Sequence, residues 1–387
     1  MSRGSADGRK RVLFLFSDTA GGHRAPAEAV IEALELEFPG RFESRMVDFF
    51  EQYCPRPMKY APTLFRPAAR WRRALHLPYR ASDGTARTHA VSAATYPYVR
   101  RAMTRLLNDN PADLIVSVHP LVNQTVMRAM RRAPRPYLTV VTDLVSAHAF
   151  WFDRRADLVV VPTAQAAKTA TQHGIPTGNL RVVGLPVRAG FTQPLPDRDA
   201  WRATQGWDAD RSVVLVACGA EGLGPVKKVA KAIDEAELPV TLVILCGRNT
   251  ELATELSQRS WRTPTHVYGF TDELPAFMAA ADIFVTKAGT GAITEAFVSG
   301  LPMVLFASIP GHEDGNVAHV LRQGAGVWAP RPRAVTDAVR AWVDAPQARA
   351  RVAAASAAAA QPQAAREVAR VIAGQLGVHA RRGGVSR

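Results

Sequence analysis

The sequence predicts an α/β protein made of two doubly wound parallel sheets. Three observations predict it. Short β-rich apolar runs alternate with helix-like stretches along nearly the whole chain. The alternation falls into two series separated by a proline-bearing break. The length of 387 residues exceeds what one compact core holds.

The first series opens with an expected strand at 12–16, followed by a helix whose apolar face carries Val30, Ile31, Leu34 and Phe38. Further strands are expected at 114–118, 137–142, 158–161 and 180–183. Residues 185–211 contain Pro186, Pro194 and Pro196, lack a strong apolar period and read as a connection between domains. The second series has expected strands at 212–218, 241–246, 266–268, 283–286 and 303–306. From Arg333 the chain is rich in Ala and Arg, with helix formers up to Pro362 and again over 364–375, and it closes in a basic stretch, 379–387. The expected division is a Rossmann-like domain over 10–190, a second over 191–345, and a C-terminal helix with a basic tail over 346–387. Open α/β sheets bind ligands beyond the carboxyl ends of their strands, so the active site is expected in a cleft between the two domains.

A hydrophobic content of 47% with 21% charged residues is an ordinary globular balance, which excludes a disordered chain. No apolar run approaches the roughly 20 residues that span a bilayer, and residues 1–10 are polar and basic with no signal-type apolar core behind them. A cytoplasmic protein is the expectation. Cys54, Cys218 and Cys246 have no metal-type spacing and read as reduced structural thiols. The net charge of +14 favours an anionic partner. From Gln52 to Ser82 there is no acidic residue, while Arg66, Arg70, Arg72 and Arg73 interleave with Leu64, Phe65, Trp71 and Leu75. Such a mixture suits a surface lying on anionic lipid headgroups, although a solvated face of the first domain would look similar.

Two loops carry the strongest chemical signals. The first strand runs into Ser17-Asp18-Thr19-Ala20-Gly21-Gly22-His23-Arg24 at the start of a helix. Gly21 and Gly22 permit a tight turn beneath a ligand, and His23 either caps the helix or acts as a base near neutral pH. After the strand at 283–286 come Lys287-Ala288-Gly289-Thr290-Gly291 and a helix containing Glu295. Backbone amides at Thr290 and Gly291 are placed to hold a diphosphate, and Glu295 to accept hydrogen bonds from ribose hydroxyls, unless it is an ordinary surface glutamate. The next strand ends in a cluster with His312, Glu313 and Asn316, suited to sugar hydroxyls and poor as a metal site. Glycine turns at Gly219 and Gly247 are weaker signals. No acidic residue follows for a dinucleotide fingerprint, and no Gly-Lys-Ser or Gly-Lys-Thr closes a phosphate loop.

These residues, together with Val141-Thr142-Asp143 and Val183-Gly184-Leu185-Pro186-Val187-Arg188, resemble the monogalactosyldiacylglycerol synthase and processive diacylglycerol glucosyltransferase family, and more distantly MurG. The likeness runs over roughly 12–328. It implies a GT-B fold and an inverting glycosyltransferase that uses a UDP-sugar as co-substrate, diacylglycerol as acceptor and no cofactor or metal. Carried over by position, His23 is the candidate base, with Asp18 and Asp143 orienting it or the acceptor. Phe270 and Thr271 lie by the uracil and Glu295 by the ribose. Arg188 and the Thr290-Gly291 turn lie by the diphosphate, and His312, Glu313 and Asn316 by the hexose. Gly22, Gly219 and Gly289 complete the donor-binding set. Such an enzyme is expected to lie peripherally on the inner face of the cell membrane. Family members of the plant type have a third glycine where Ala20 stands, a proline where Thr290 stands and a Gln-Glu pair where His312-Glu313 stands, so galactose, glucose and a hexosamine all remain open. Two other enzymes use the same donor chemistry, a transferase acting on a polyprenyl-linked or natural-product acceptor and a UDP-sugar epimerase. A nucleic-acid partner is suggested by charge alone, and the clustering of candidate residues at strand ends speaks against it.

Overall fold

The computed structural model describes residues 8–17, 22–60, 81–222, 224–309 and 311–379. Asp18 and the basic-aromatic residues Arg66, Arg70, Trp71, Arg72 and Arg73 lie outside the described residues. The chain divides into two compact units, Met1–Ala189 with Gln363–Arg387, and Gly190–Pro362.

The first unit holds a six-stranded parallel sheet in the order β2-β1-β3-β4-β5-β6: Lys10–Phe16 (β1), Phe42–Asp48 (β2), Leu114–Ser117 (β3), Tyr137–Val140 (β4), Leu158–Val161 (β5) and Leu180–Val182 (β6). Strands β1, β3, β4 and β5 are short apolar runs because both their faces are covered. One face carries Leu13, Leu15, Ile115, Tyr137 and Val159 into a core with Met103, Leu106 and Trp151. The other carries Val12, Phe14, Val116, Leu138 and Val160 into a core with Val30 and Leu34 of the helix Arg24–Glu37 (α1). Helix Phe49–Gln52 (α2) is one turn capped by Asp48, whose carboxylate accepts the Glu51 N–H at 3.1 Å. Later described helices of this unit include the 25-residue Thr85–Asp109 (α3), Asn123–Ala129 (α4) and Ala164–Gln172 (α5).

The second unit repeats the plan with the order β12-β11-β10-β7-β8-β9: Ser212–Ala217 (β7), Val240–Leu245 (β8), Thr265–Tyr268 (β9), Ile283–Lys287 (β10), Met303–Ala307 (β11) and Gly326–Trp328 (β12). Its helices are Arg198–Thr204 (α6), Val226–Glu235 (α7), Thr250–Ser257 (α8), Leu274–Ala280 (α9), Thr290–Val298 (α10), Asp314–Arg322 (α11), Pro332–Asp344 (α12) and Pro346–Ala358 (α13). At the base of the sheet Asp282 gathers the Val213 N–H at 2.8 Å, Arg198 at 2.6 Å, Arg202 at 2.8 Å and Arg349 at 3.6 Å. Burial pushes its pKa up, but the Val213 hydrogen bond and the Arg198 and Arg202 charges together hold it below the ordinary carboxylate value.

Residues 346–387 do not form the separate segment that the sequence suggests. Helix α13 belongs to the second unit, whereas Ala364–Gln375 (α14) groups with the first, and the boundary between the two main units falls at 189/190 rather than 190/191. The reason lies in the apolar stripe of α14. Ala365, Val368, Ala369, Ile372 and Ala373 fill the space beside Ala29, Val30 and Ala33 of α1. Arg366 and Arg370 reach Glu37 at 3.6 Å and 2.9 Å along the rim, an exposed pairing of small energetic weight. Ile372 is fully buried in this seam. Ile372→Ala should therefore destabilise the first unit by about 3 kcal/mol in urea denaturation, while Arg370→Ala should cost under about 1 kcal/mol.

Candidate functional site

In each sheet the first strand has neighbours that the chain reaches by opposite turns, so the loops leaving its carboxyl end diverge and open a crevice. In the first unit that point lies between β1 and β3. Ser17, just after β1, is fully buried, Gly22 is exposed, and His23 stands half-buried just before α1. The alternative role of His23, capping the helix by its side chain, is not used: no side-chain cap bond is made at α1. Instead His23 Nδ1 lies 2.9 Å from Thr142 Oγ1, two residues beyond β4. In the tautomer whose Nδ1–H donates to that hydroxyl, Nε2 carries the lone pair a base requires.

Two more aromatic rings stand beside His23, and neither was singled out in the sequence. His119, two residues beyond β3, meets the His23 ring edge-on at 4.6 Å, and Trp151 lies 5.8 Å from it. His119 is 2% exposed and Phe50 packs on it edge-to-face at 5.7 Å. Burial, and after it the nearby His23, hold the His119 pKa well below the ordinary histidine value, so this imidazole is neutral. The Trp151 indole N–H donates to Asp143 at 2.7 Å. Asp143 thus holds the indole that packs on His23. Arg188 follows β6 at the end of the first unit, and the N–H of the adjacent Ala189 donates to Glu32 of α1 at 2.9 Å.

The matching point in the second unit lies between β7 and β10. The loops after β7 and β8 interlock, because the Arg248 N–H donates to Ala220 O at 2.7 Å. The contact demands glycine on both sides. A Cβ on Gly247 would lie 2.2 Å from Ala220 O, and one on Gly222 2.2 Å from Cys246 O, at backbone φ of +57° and +58°. Gly219 is exposed with open space beside it. The interlock aims Arg248, whose guanidinium lies 4.2 Å from the centroid of Phe270, a ring left 48% exposed. Thr271 Oγ1 accepts the Glu273 N–H at 3.0 Å. The sequence placed Phe270 and Thr271 near a base but not Arg248, because no spacing rule links the end of β8 to the residues after β9.

Gly289 is the N-cap of α10 and makes no side-chain cap bond, with Thr290 and Gly291 in the first turn of the helix. Glu295 stands half-buried one turn further on. Glu313 and Asn316 are both buried. Glu313, 3% exposed, pairs with Lys287 Nζ at 2.5 Å and accepts the Ile309 N–H at 2.8 Å. Asn316, 1% exposed, donates to Ala288 O at 3.0 Å. Both brace the Lys287–Gly289 turn from behind, leaving His312, half-buried, nearer the surface. Burial pushes the adjacent Cys218 thiol up to about 12 against the pull of Lys287, and all three cysteines are free and buried, as expected of structural thiols. Among the described residues no group of three His, Cys, Asp or Glu side chains could hold a metal ion.

The buried neutral state of His119 carries a pH signature. In the unfolded chain it binds a proton near pH 6.5, whereas in the folded unit it does so only at lower pH, so stability is present above 6.5 and falls as pH drops below it. The slope from this one group is about 1.4 kcal/mol per pH unit until the lowered folded pKa is reached. Urea denaturation of His119→Phe over a pH series should show a shallower acid-side slope by up to that amount. An unchanged slope would mean that His119 takes up its proton in the folded protein as readily as in the unfolded chain.

Comparison with known proteins extends this geometry. The family model for monogalactosyldiacylglycerol (MGDG) synthase matches residues 23–187, and that for the glycosyltransferase family 28 C-terminal domain matches residues 213–370. Monogalactosyldiacylglycerol synthase 1, chloroplastic, of Arabidopsis thaliana is 33% identical over 348 residues, 87% of this chain and 65% of the relative. Probable monogalactosyldiacylglycerol synthase 2, chloroplastic, of Oryza sativa subsp. japonica is 35% identical over 348 residues, 86% of this chain and 73% of the relative. Among solved structures, MurG of Acinetobacter baumannii superposes with a TM-score of 0.61 at 17% identity, covering 94% of this chain and 99% of that one. A putative UDP-N-acetylglucosamine 2-epimerase from Listeria monocytogenes gives 0.62 at 14% identity, covering 95% and 96%. At such identities the structural likeness speaks for the fold alone, the GT-B arrangement of two Rossmann-like sheets. The sequence relatives say more: the chain belongs to the monogalactosyldiacylglycerol synthase family of glycosyltransferases.

Proposed function

We propose that this protein transfers a hexose from a UDP-sugar to the free hydroxyl of diacylglycerol, in one step and with inversion at the anomeric carbon. The observation that carries the reading is the setting of His23: an imidazole whose Nδ1 is engaged by Thr142, placed at the carboxyl edge of the first sheet in a chain of this family. Its Nε2 takes the proton of the acceptor hydroxyl as the hydroxyl oxygen bonds to the anomeric carbon. The bond from that carbon to the diphosphate breaks, and its electron pair leaves on the phosphate oxygen. Asp143 acts through Trp151, and Asp18 keeps its place as a candidate for orienting the base.

The donor falls to the second unit. Uracil lies by Phe270 and Thr271, ribose by Glu295, and the diphosphate by the Thr290 and Gly291 amides, with Arg188 of the first unit adding a cation. The hexose lies by His312, with Glu313 and Asn316 shaping the turn beneath it. The names of the two plant relatives favour galactose among the hexoses. The fold likeness to a UDP-N-acetylglucosamine 2-epimerase keeps a second reading, epimerisation of the UDP-sugar with no acceptor. A polyprenyl-linked or natural-product acceptor is the remaining alternative.

The reading extends to the membrane. Within the acid-free stretch, Arg56, Lys59 and Tyr60 are exposed, and α3 carries Arg87, Arg100, Arg101 and Arg105 with no acidic residue before Asp109. This composition supports a peripheral site on an anionic leaflet, on the inner face of the cell membrane. No described helix is long and apolar enough to cross one.

Incubation with a panel of UDP-sugars and diacylglycerol, followed by mass analysis, should yield a glycosyldiacylglycerol whose anomeric configuration by proton NMR is opposite to that of the donor. A chelator should leave the rate unchanged. His23→Ala should lower turnover by roughly 10²- to 10⁴-fold while retaining UDP binding. Free sugar or an epimerised UDP-sugar in the absence of lipid would favour the second reading. Sedimentation with phosphatidylglycerol vesicles at low salt should exceed that with neutral vesicles and weaken as salt is added, and equal binding to both would remove the membrane part of the proposal.

A further inference from the structure

Lys287 occupies a position that packing alone does not explain. It is the last residue of β10, where the pairing with β11 slips by one residue so that Thr286 faces Leu305 but Lys287 faces Ala307. The bulge re-aims the side chain at the carboxyl end of the strand. There its ammonium lies against Gly289, so close that a Cβ on Gly289 would stand 2.9 Å from Nζ. Gly289 has φ of −73°, which any residue adopts, so what this glycine supplies is room for the cation rather than backbone freedom. Gly289 is also the N-cap of α10, the positive end of the helix, where a cation is electrostatically disfavoured.

The protein nevertheless fixes the ammonium there. Glu313, 3% exposed, holds Nζ at 2.5 Å with one oxygen and is itself held by the Ile309 N–H at 2.8 Å with the other. Beside it Asn316, 1% exposed, grips Ala288 O through Nδ2, while its Oδ1 has no hydrogen-bond partner among the described residues. The ammonium and the positive end of α10 thus meet at one point, where Glu313 supplies a single counter-charge. That arrangement is resolved when an anion with several acceptor oxygens joins it.

We propose that Lys287 is a direct ligand of the donor's diphosphate and that Glu313 is the positioning residue that seats it on Gly289. This rests on the UDP-sugar reading above and adds to it a role for Glu313 exerted through the lysine. As the anomeric carbon leaves, the negative charge growing on the diphosphate is met by a cation already in place, with no reorganisation needed at that moment.

Calorimetric titration of the full chain with uridine, UMP and UDP tests this. Lys287→Met should lose about 10- to 100-fold in UDP affinity, the scale of one charge-assisted hydrogen bond, and change uridine affinity by less than about twofold. Lys287→Arg should restore most of the UDP affinity. The double variant Lys287→Met with Glu313→Gln leaves no unpaired buried carboxylate, and should fold with wild-type circular dichroism while keeping the UDP defect. Glu313→Gln alone should weaken UDP more than uridine. Equal losses for uridine and UDP in the double variant would make Lys287 a structural residue and overturn the proposal, as would full UDP affinity in Lys287→Met. A wild-type protein that binds neither nucleotide would instead sink the donor reading on which the proposal stands.

Discussion

Every strand runs parallel to its neighbours within its sheet, and this constraint orders the rest of the molecule. Parallel strands all deliver their carboxyl ends to one edge, and each must then send the chain back across a face. Backbone groups leaving those ends have no ladder partner, so the edge is where side chains, helix starts and ligands meet the main chain. In the first unit the edge gathers His23, His119 and Thr142 from the ends of three different strands. In the second it gathers Gly219, Arg248, Phe270, Lys287 and His312 from five.

What distinguishes the two edges is how they are stiffened. The first uses rings: two imidazoles, an indole and a phenyl in edge contacts, with the indole pinned by a buried carboxylate. The second uses backbone, with glycine loops close enough that any side chain would collide, and a lysine-glutamate pair bracing the helix start. Each device suits its task. Packed rings and the Thr142 hydroxyl fix the orientation of the His23 imidazole. A dense array of amides and cations suits a polyanion.

Much of the fold was legible in the sequence because buried parallel strands are continuous apolar runs, a signal that most of the ten strands placed from the sequence carry. The two that escaped explain themselves. β2 and β12 are the outer strands at one edge of each sheet, and Phe42-Glu43-Ser44-Arg45-Met46-Val47-Asp48 alternates with exposed polar residues where only one face is covered. Gly326-Val327-Trp328 is too short to carry a period at all. The destination of α14 was hidden because an amphipathic stripe declares that a helix packs, not upon what. The same limit held at the site. His23, Phe270 and the Gly289 turn stand in recognisable loops, whereas His119 and Trp151 are joined to His23 only by folding. Glu313 stood in a cluster that suggested sugar contact, and only the coordinates reveal that Lys287 and Ile309 occupy its oxygens.

The pairing of α14 with α1 also has a bearing on how this polypeptide comes into being. The hydrophobic seam that finishes the first unit is built from its opening helix and from residues some three hundred positions later, after the whole of Gly190–Pro362 has been made. On the ribosome, the unit whose strands emerge first must therefore wait with one flank of α1 uncovered while its neighbour, contiguous in the chain, completes its own fold. Vectorial synthesis thus reverses the order of maturation: the second unit is finished before the first.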